Sequence, residues 1–383
     1  MSRINDFQRR MPEASHDLRR RQSVWLRWHI DLPLLLGLLV LTGFGLVVLY
    51  SGSGEDWHYV KRQSVFLVLA YCVMFTVAQV RVHVMEYWAP WFYLLGVILL
   101  VLVLVMGVGA KGAQRWLSLG GFRFQPSEIL KLAVPAMVAM FLSRKILPPK
   151  FGHVILALGL IGVPTVLIMK QPDLGTSILI AASGFLVLFF SGLPWRYMFG
   201  AAGVLAAGAW PAWMFVLRDY QKQRILTMLN PEDDKLGAGW NIIQSKTAIG
   251  SGGIQGKGWL NGTQSHLDFL PESHTDFIIA VLAEELGLIG VLCLLALYAW
   301  IIGRGLVIAS NAQSTFGRLL AGSITFTFFI YIFVNIGMVS GLLPVVGVPL
   351  PMVSHGGTSI VTLMMGFGIL MAIGTEQRKV SIG

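Results

Sequence analysis

Charged residues and cysteines are both scarce in this sequence. Only 13% of the 383 residues are charged, whereas 55% are hydrophobic and the mean hydropathy is +0.70. So little charge, with the apolar residues gathered in long runs, excludes an ordinary water-soluble domain and indicates a polytopic membrane protein. The two cysteines, Cys72 and Cys293, fall inside apolar runs, which argues against a disulfide framework or a cysteine zinc site.

The charges that are present are mostly basic and unevenly placed. The net charge is +10, and 7 of the 29 Lys and Arg residues lie in the first 27 positions, directly before the first apolar run. This placement is typical of an orientation signal in a membrane protein rather than of a nucleic-acid-binding surface. We therefore expect an Arg-rich cytoplasmic tail at residues 1–30 and no nucleic-acid partner.

Ten apolar runs follow the tail and predict ten transmembrane helices. The runs are Leu32–Tyr50, Gln63–Val80, Tyr87–Ala110, Glu128–Leu142, His153–Met169, Leu174–Phe190, Trp195–Leu217, Phe277–Ile302, Leu319–Leu343 and Gly356–Ile373. The predicted fold is therefore all-α, a polytopic bundle of about ten helices over residues 31–377. A long loop at 218–272 separates helices 7 and 8, and residues 378–383 form a short cytoplasmic C-terminus.

The distribution of Lys and Arg predicts the orientation of this bundle. With both termini cytoplasmic, basic residues in the tail and the short loops favour the inside by 16 to 6. Charges in the long loop count little, because long loops are translocated largely regardless of charge. The loop at 218–272 is therefore expected outside, and so is Asp276, which lies shortly after its end.

Six ionisable residues lie within or at the edge of predicted spans. They are Glu128, Lys131, Asp173, Asp276, Glu284 and Glu285. Such groups cost several kcal/mol in hydrocarbon unless they face protein or water. Most lie toward the outer half of the predicted topology, which indicates one polar cavity that opens outward.

Three of these residues, at two places in the chain, allow a structural and a functional interpretation. Glu128 and Lys131 are three residues apart, so they share a helix face and could form a buried ion pair that only holds the bundle together. They could equally line a functional cavity. Asp173 follows Pro172 at the start of a helix, where a simple capping role is as reasonable as a role at the membrane surface.

Two glycine-rich segments interrupt the apolar pattern. Gly250–Gly258 (GSGGIQGKG) is not a Walker loop, because Ser251 and Gly258 stand where that motif needs Gly and Ser or Thr. It reads as a flexible turn whose amides, with Lys257, could bind an anion. Pro344–Ser359 is uncharged and rich in Pro and Gly, and non-helical backbone at membrane depth is tolerated only where it is buried or lines a cavity.

The stretch Phe269–Gly287 (FLPESHTDFIIAVLAEELG) turns from a polar, acid-rich loop into an apolar helix. Ser273 and Asp276 match a capping box, so helix initiation alone could explain the aspartate. Two H-x-D pairs also occur here, a spacing too unspecific to favour a zinc site. The four residues of those pairs are His266, Asp268, His274 and Asp276.

Several of these segments together resemble one protein family. The ten-span pattern and the segments FRFQPSEILKLA, QPDLGTSILI, GSGGIQGKGWLNGTQ, FLPESHTDFIIAVLAEELG and PVVGVPLPMVSHGGTS are similar to those of the SEDS family (shape, elongation, division and sporulation). The resemblance covers nearly everything from Asp31 to the C-terminus.

The resemblance implies a peptidoglycan glycosyltransferase that polymerises lipid II, working at the outer face of a bacterial cytoplasmic membrane. By match to the family's motifs, Asp276 is the expected general base, and Glu128, Lys131 and Asp173 are expected to support it. Several basic residues are candidates for contacts to the pyrophosphate or sugar. They are Lys111, Arg115, Arg123, Lys246 and Lys257. No nucleotide cofactor is implied, and a divalent cation could share the role of these cations.

The expected partners are lipid II, undecaprenyl-pyrophosphate-linked glycan, a class B penicillin-binding transpeptidase, the elongation machinery and membrane lipids. Two other functions fit the same features, namely a lipid II flippase and a non-catalytic scaffold for a transpeptidase. The outward clustering of the acids favours the enzyme over alternating access. A scaffold would leave Asp276 without a catalytic purpose.

Overall fold

The computed structural model describes residues 28–110, 113–119, 122–234, 237–266 and 273–376. The elements, in chain order, are α1 (Leu32–Gly52), α2 (Trp57–Ala78), α3 (Val82–Met106), β1 (Val108–Ala110), β2 (Ala113–Leu119), β3 (Phe122–Phe124), α4 (Pro126–Ser143), α5 (Phe151–Lys170), α6 (Leu174–Phe190), α7 (Trp195–Pro211), α8 (Asp219–Leu229), α9 (Ala238–Gly252), α10 (Thr263–His266), α11 (Ile278–Asn311), α12 (Thr315–Val339) and α13 (Gly357–Gly374).

Ten of these helices, α1–α7 and α11–α13, match the ten predicted spans. Nine are long and apolar enough to cross a membrane, if α7 is counted together with the π-helical turn that continues it to Phe215, and the tenth, α6, is slightly shorter at 17 residues. The tail predicted at 1–30 lies outside the described residues apart from its last three, and so does the segment at 378–383.

The helix ends depart from the apolar runs, because hydropathy does not mark where backbone hydrogen bonding stops. The span expected to end at Ile302 continues through Arg304 to Asn311. The Arg304 guanidinium, at 2.9 and 2.6 Å, binds both carboxylate oxygens of Asp31. Asp31 also caps α1 by accepting a hydrogen bond from the Leu34 amide at 3.1 Å. The charged pair therefore locks α11 to the start of α1.

A short β-meander departs from the all-α expectation. β1, β2 and β3 form a three-stranded antiparallel sheet, with Trp116 opposite Val108 and Leu117 opposite Phe124. The connection between the third and fourth spans is therefore partly strand. The sheet lies between α3 and α4, and the polypeptide passes from it directly into Pro126, the first residue of α4.

Helix α11 is broken near its N-terminal end. Gly287 has φ 63° and ψ −161°, which is not helical, and such a break leaves backbone groups on both sides unpaired. Loop residues before and after Gly256 pair with them. The Lys257 and Gly258 amides donate to the carbonyls of Glu284 and Glu285, and the Leu288 and Ile289 amides donate to Gly253 and Ile254, all at 2.9 to 3.2 Å.

This pairing corrects the interpretation of the Gly250–Gly258 segment. The amides of Lys257 and Gly258 are not available to an anion, since they complete the broken helix. A side chain at Gly256 would also not fit, because its Cβ would lie 2.1 Å from the Glu285 carbonyl oxygen. The glycines allow the loop backbone to reach the helix backbone.

The second half of the segment between α12 and α13, Val348–Ser354, is largely buried among helices, as expected for non-helical backbone at this depth. The Tyr298 hydroxyl of α11 donates to the Pro351 carbonyl at 2.7 Å, and the Gln63 amide of α2 donates to the Ser354 carbonyl at 3.1 Å. Helix α1 approaches so closely that a Cβ on Gly45 would lie 2.6 Å from the Met352 carbonyl oxygen. Three helices thus fix the segment in place.

Candidate functional site

A polar cavity of about 250 Å³ lies between the sheet, α4, α6, α12 and the segment before α13. Its polar lining residues include Gln125, Glu128, Lys131, Asp173, Thr176 and Tyr331. The backbone of Gly347–Met352 and the first turn of α13 complete the wall. The structure therefore brings three of the predicted site residues, Glu128, Lys131 and Asp173, into one cavity.

Glu128 and Lys131 form an ion pair on the inner face of α4. The Lys131 ammonium lies 2.6 Å from Glu128 Oε1 and 5.4 Å from the centre of the Tyr331 ring. Both side chains are largely buried, at 7% and 13% exposed. The second carboxylate oxygen, Glu128 Oε2, has no hydrogen-bond partner in the described part of the chain. The pair is thus both a contact within the bundle and part of the cavity wall.

Asp173 caps α6, as the structural interpretation predicted. Its carboxylate accepts hydrogen bonds from the Thr176 amide at 3.3 Å and the Thr176 hydroxyl at 3.0 Å. It also accepts one from the Gln125 side chain at 3.3 Å, which ties the start of α6 to the start of α4. Because Asp173 lines the cavity as well, the cap does not remove it from the site.

Asp276 is not among the lining residues but lies in a turn just before α11, beside the lining residue Gly347. The helix begins at Ile278 with Phe277 as its N-cap, and that cap has no side-chain hydrogen bond. The capping box predicted for Ser273 and Asp276 is therefore wrong, since the Ser273 hydroxyl instead donates to the Gly52 carbonyl at 2.8 Å. Helix initiation does not account for the aspartate.

The carboxylate of Asp276 lies against Gly347, which lines the cavity. A Cβ placed on Gly347 would lie 3.5 Å from Asp276 Oδ2, and Gly347 has φ +74°, a conformation that favours glycine. The absence of a side chain at this position leaves the carboxylate facing the cavity wall. An acid at the edge of a buried polar cavity is suited to accepting a proton from a bound hydroxyl group.

The two glutamates of α11 have different partners. Oε1 of Glu284, whose side chain is fully buried, accepts from the Lys257 ammonium at 2.6 Å and from the Thr263 and Gln264 amides at 2.9 and 3.0 Å. Glu285 accepts from the Ser51 hydroxyl of α1. Adjacent residues on a helix point about 100° apart, so each glutamate joins α11 to a different element.

The basic candidates are placed unequally. Lys257 is bound to Glu284, and Lys246 is exposed beside Gly341 rather than in the cavity lining. Arg115 lies in β2 next to Trp116, a lining residue, and Arg123 lies in β3. Lys111 falls outside the described residues, as does Asp268 of the second H-x-D pair. Lys131 is the one basic candidate whose described side chain lines the cavity.

An aromatic cluster near the rim was not predicted from the sequence. The Tyr59 ring lies 4.7 Å from that of His274 and 5.4 Å from that of His355. Burial, with smaller effects of Arg62 and His274, lowers the pKa of His355 below its ordinary value. In the described part of the chain no three His, Cys, Asp or Glu side chains are grouped to hold a metal ion.

Comparison with known proteins identifies the family. Residues 24–379 match the family model FtsW/RodA/SpoVE, described as cell cycle protein. The chain belongs to this family. The resemblance to the SEDS family, based on its motifs, is thereby confirmed.

Curated relatives cover nearly the whole chain. It is 55% identical over 362 residues to the peptidoglycan glycosyltransferase MrdB of Escherichia coli K12, covering 94% of this chain and 98% of the relative. It is 38% identical over 362 residues to a probable peptidoglycan glycosyltransferase FtsW of Geobacter metallireducens, covering 91% and 95%. Identity is thus higher to MrdB, the RodA protein of E. coli, than to this FtsW protein.

Solved structures share the fold of this FtsW/RodA/SpoVE protein. A chain from a peptidoglycan synthase complex that coordinates polymerization and crosslinking gives a TM-score of 0.79 at 30% identity, covering 90% of this chain and 97% of that one. The rod shape determining protein RodA of Thermus thermophilus gives 0.68 at 27% identity, covering 90% and 96%. The polytopic helical fold is therefore shown.

Proposed function

We propose that the chain is a peptidoglycan glycosyltransferase that polymerises lipid II into glycan strands. The observation that carries this proposal is the position of Asp276. In a chain that aligns with nearly all of MrdB, its carboxylate faces Gly347 at the rim of the cavity that holds the Glu128–Lys131 pair. A transfer between two lipid-linked sugars requires a base that accepts the hydroxyl proton, and a carboxylate beside a polar cavity can serve as that base.

The proposed reaction is an inverting displacement. The 4-hydroxyl of an acceptor GlcNAc attacks the anomeric carbon of a donor MurNAc, while the Asp276 carboxylate accepts the hydroxyl proton. The bond from the anomeric carbon to the pyrophosphate oxygen breaks, and undecaprenyl pyrophosphate leaves with the electron pair. Fixing the acceptor in line with that bond supplies much of the rate enhancement.

The remaining cavity residues support this step in the proposal. Lys131 is the described cation best situated for the negative charge that develops on the leaving pyrophosphate, and Arg115 of β2 is a second candidate. Glu128 keeps Lys131 in position through its 2.6 Å contact. Asp173 holds the start of α6 against that of α4. A divalent cation would act in the same place as these cations.

We also propose that both termini are cytoplasmic in a bacterial inner membrane and that the cavity opens outward. The excess of basic residues on the side of the termini supports this orientation. A class B penicillin-binding transpeptidase and the elongation machinery are the proposed partners. The structural similarity to a chain of a peptidoglycan synthase complex supports the first of these. A reporter protein fused after Gly262 tests the orientation. It is expected to report an extracytoplasmic location, and a cytoplasmic location would refute the proposed orientation.

Polymerisation of labelled lipid II by purified protein tests the function, with and without a class B penicillin-binding protein. Wild type is compared with Asp276→Asn and with Glu55→Gln, which changes an exposed acid between α1 and α2. We expect Glu55→Gln to polymerise as wild type does and Asp276→Asn to lose activity. Full activity of Asp276→Asn would refute the general base. If wild type does not polymerise but moves lipid II across liposomes, the flippase alternative replaces the enzyme.

A further inference from the structure

The turn that carries Asp276 is held in place by residues from outside its own helix. Three consecutive carbonyls each accept one hydrogen bond. His274 accepts from the His355 amide at 2.9 Å, Thr275 from the Ser354 hydroxyl at 2.6 Å, and Asp276 from the Asn335 side-chain amide at 2.9 Å. The three donors belong to α12 and to the segment that follows it. That part of the chain thus helps to set the backbone position of Asp276.

Asn335 makes a second bond that joins the turn to the cavity wall. Its Nδ2 also donates to the Val348 carbonyl at 2.8 Å, and the residue is fully buried. Both hydrogens of one amide therefore connect Asp276 with the residue next to Gly347. Since Gly347 is the position against which the Asp276 carboxylate lies, this amide fixes the separation of the acid from the cavity wall.

We propose that Asn335 is a positioning residue for the glycosyl transfer, which sets the place of the Asp276 carboxylate by binding the Asp276 and Val348 carbonyls together. Ser354 acts in the same way on the neighbouring Thr275 carbonyl. This inference rests on the proposed function, because it assigns Asn335 and Ser354 to the reaction at Asp276. Neither residue touches the reacting atoms in this proposal.

The hydrogen bonds that Asn335 donates to the Asp276 and Val348 carbonyls are called the Asn335 clamp below. Their loss is expected to affect the chemical step more than substrate binding. A displacement of about 1 Å in a catalytic group costs roughly 100-fold in rate. Asn335→Asp keeps the size of the side chain but replaces the Nδ2 group, and with it both donated hydrogens, by one carboxylate oxygen that faces two carbonyls. We expect it to lower kcat about 100-fold with little change in the KM for lipid II. Ser354→Ala removes one donor without adding charge, so a smaller loss of kcat of about 10-fold is expected.

A matched control is available on the same helix. The hydroxyl of Ser323, also fully buried in α12, donates to the Ser183 carbonyl of α6 at 2.7 Å. Ser323→Ala therefore removes a buried inter-helix hydrogen bond away from Asp276. It is expected to lower the thermal midpoint slightly and to leave kcat within about twofold of wild type, as a purely structural contact would.

The experiment measures kcat, KM and the thermal midpoint of each variant in complex with a class B penicillin-binding protein, using labelled lipid II. A fall in kcat at constant KM for Asn335→Asp and Ser354→Ala, but not for Ser323→Ala, supports the clamp. The proposal is overturned if Ser354→Ala keeps the kcat of wild type and Asn335→Asp is folded and active. It is also overturned if the variants raise KM and leave kcat unchanged. If Asn335→Asp does not fold, Ser354→Ala decides. An active Asp276→Asn protein refutes the proposed function instead.

Discussion

Replacing Lys257 by Met should destabilise the protein without impairing substrate binding. The sequence marks Lys257 as a candidate for contact with the pyrophosphate, whereas the structure places its ammonium 2.6 Å from Glu284 Oε1. The Glu284 side chain is 0% exposed and that of Lys257 is 27% exposed. Removal of the lysine leaves a carboxylate that is buried and has lost its counter-charge.

The magnitude follows from this difference in exposure. Breaking a buried ion pair by removing one partner typically costs about 3–5 kcal/mol. The Thr263 and Gln264 amides still donate to Glu284, so we expect a cost at the lower end, about 3 kcal/mol for Lys257→Met. Glu284→Gln should cost less, about 1–2 kcal/mol, because the exposed end of Lys257 can turn to water. The double variant should cost less than Lys257→Met alone, because it leaves no buried carboxylate without a counter-charge.

The assay is thermal unfolding in detergent, followed by tryptophan fluorescence, with lipid II polymerisation on the same samples. Lys246→Met is the matched control, since Lys246 is an exposed lysine of α9 in the same loop. Lys257→Met should lower the midpoint by several degrees with an unchanged KM, and Lys246→Met should change neither. An unchanged midpoint with a raised KM for lipid II would refute the structural role and make Lys257 a substrate ligand.

Two further predictions concern the rim of the cavity. Gly347→Ala should lower polymerisation in a folded protein, because the new methyl group would lie in van der Waals contact with Asp276 Oδ2, at 3.5 Å, and narrow its access to the cavity. Gly54→Ala controls for the backbone strain of about 1–2 kcal/mol, because Gly54 has φ +68° and no described atom within 4 Å of its added Cβ, and equal losses in both would contradict the prediction. Because burial lowers the pKa of His355 from 6.5, the unfolded chain takes up that proton first, and stability should fall as the pH drops below about 6.5. In pH-dependent unfolding His355→Phe should lose this part of the dependence, and an unchanged profile would exclude His355 as its source.

The ten spans could be predicted because a membrane helix must be long and apolar, and this requirement is visible locally. The same holds for Asp173, whose capping role depends on the residues directly after it, and for the Glu128–Lys131 pair, whose spacing places both on one face. The sheet at β1–β3 was missed, since its strands are short and their pairing depends on turns rather than on hydropathy.

The site was predicted only as far as single residues allow. Sequence patterns and family resemblance selected the acids and Lys131, but Tyr331 and Asn335 lie within the apolar run of α12 and gave no signal of their own. Their contribution depends on facing other elements: Tyr331 lies over Lys131, and Asn335 binds two carbonyls from separate segments. A buried polar residue in an apolar helix is a reason to search for such partners, although it does not identify them.

The break in α11 explains why the position of Asp276 depends on loops. Glycine alone does not predict a break, because glycine is common in membrane helices. At Gly287 the break is possible since loop residues on both sides of Gly256 supply the missing partners for four backbone groups. The N-terminal piece of α11, Ile278–Leu286, is therefore held by the loop around Gly256 at one end and by the Asn335 clamp at the other. We therefore expect a substitution in the loop around Gly256, or in the segment between α12 and α13, to shift Asp276 without bending the part of α11 that follows Gly287.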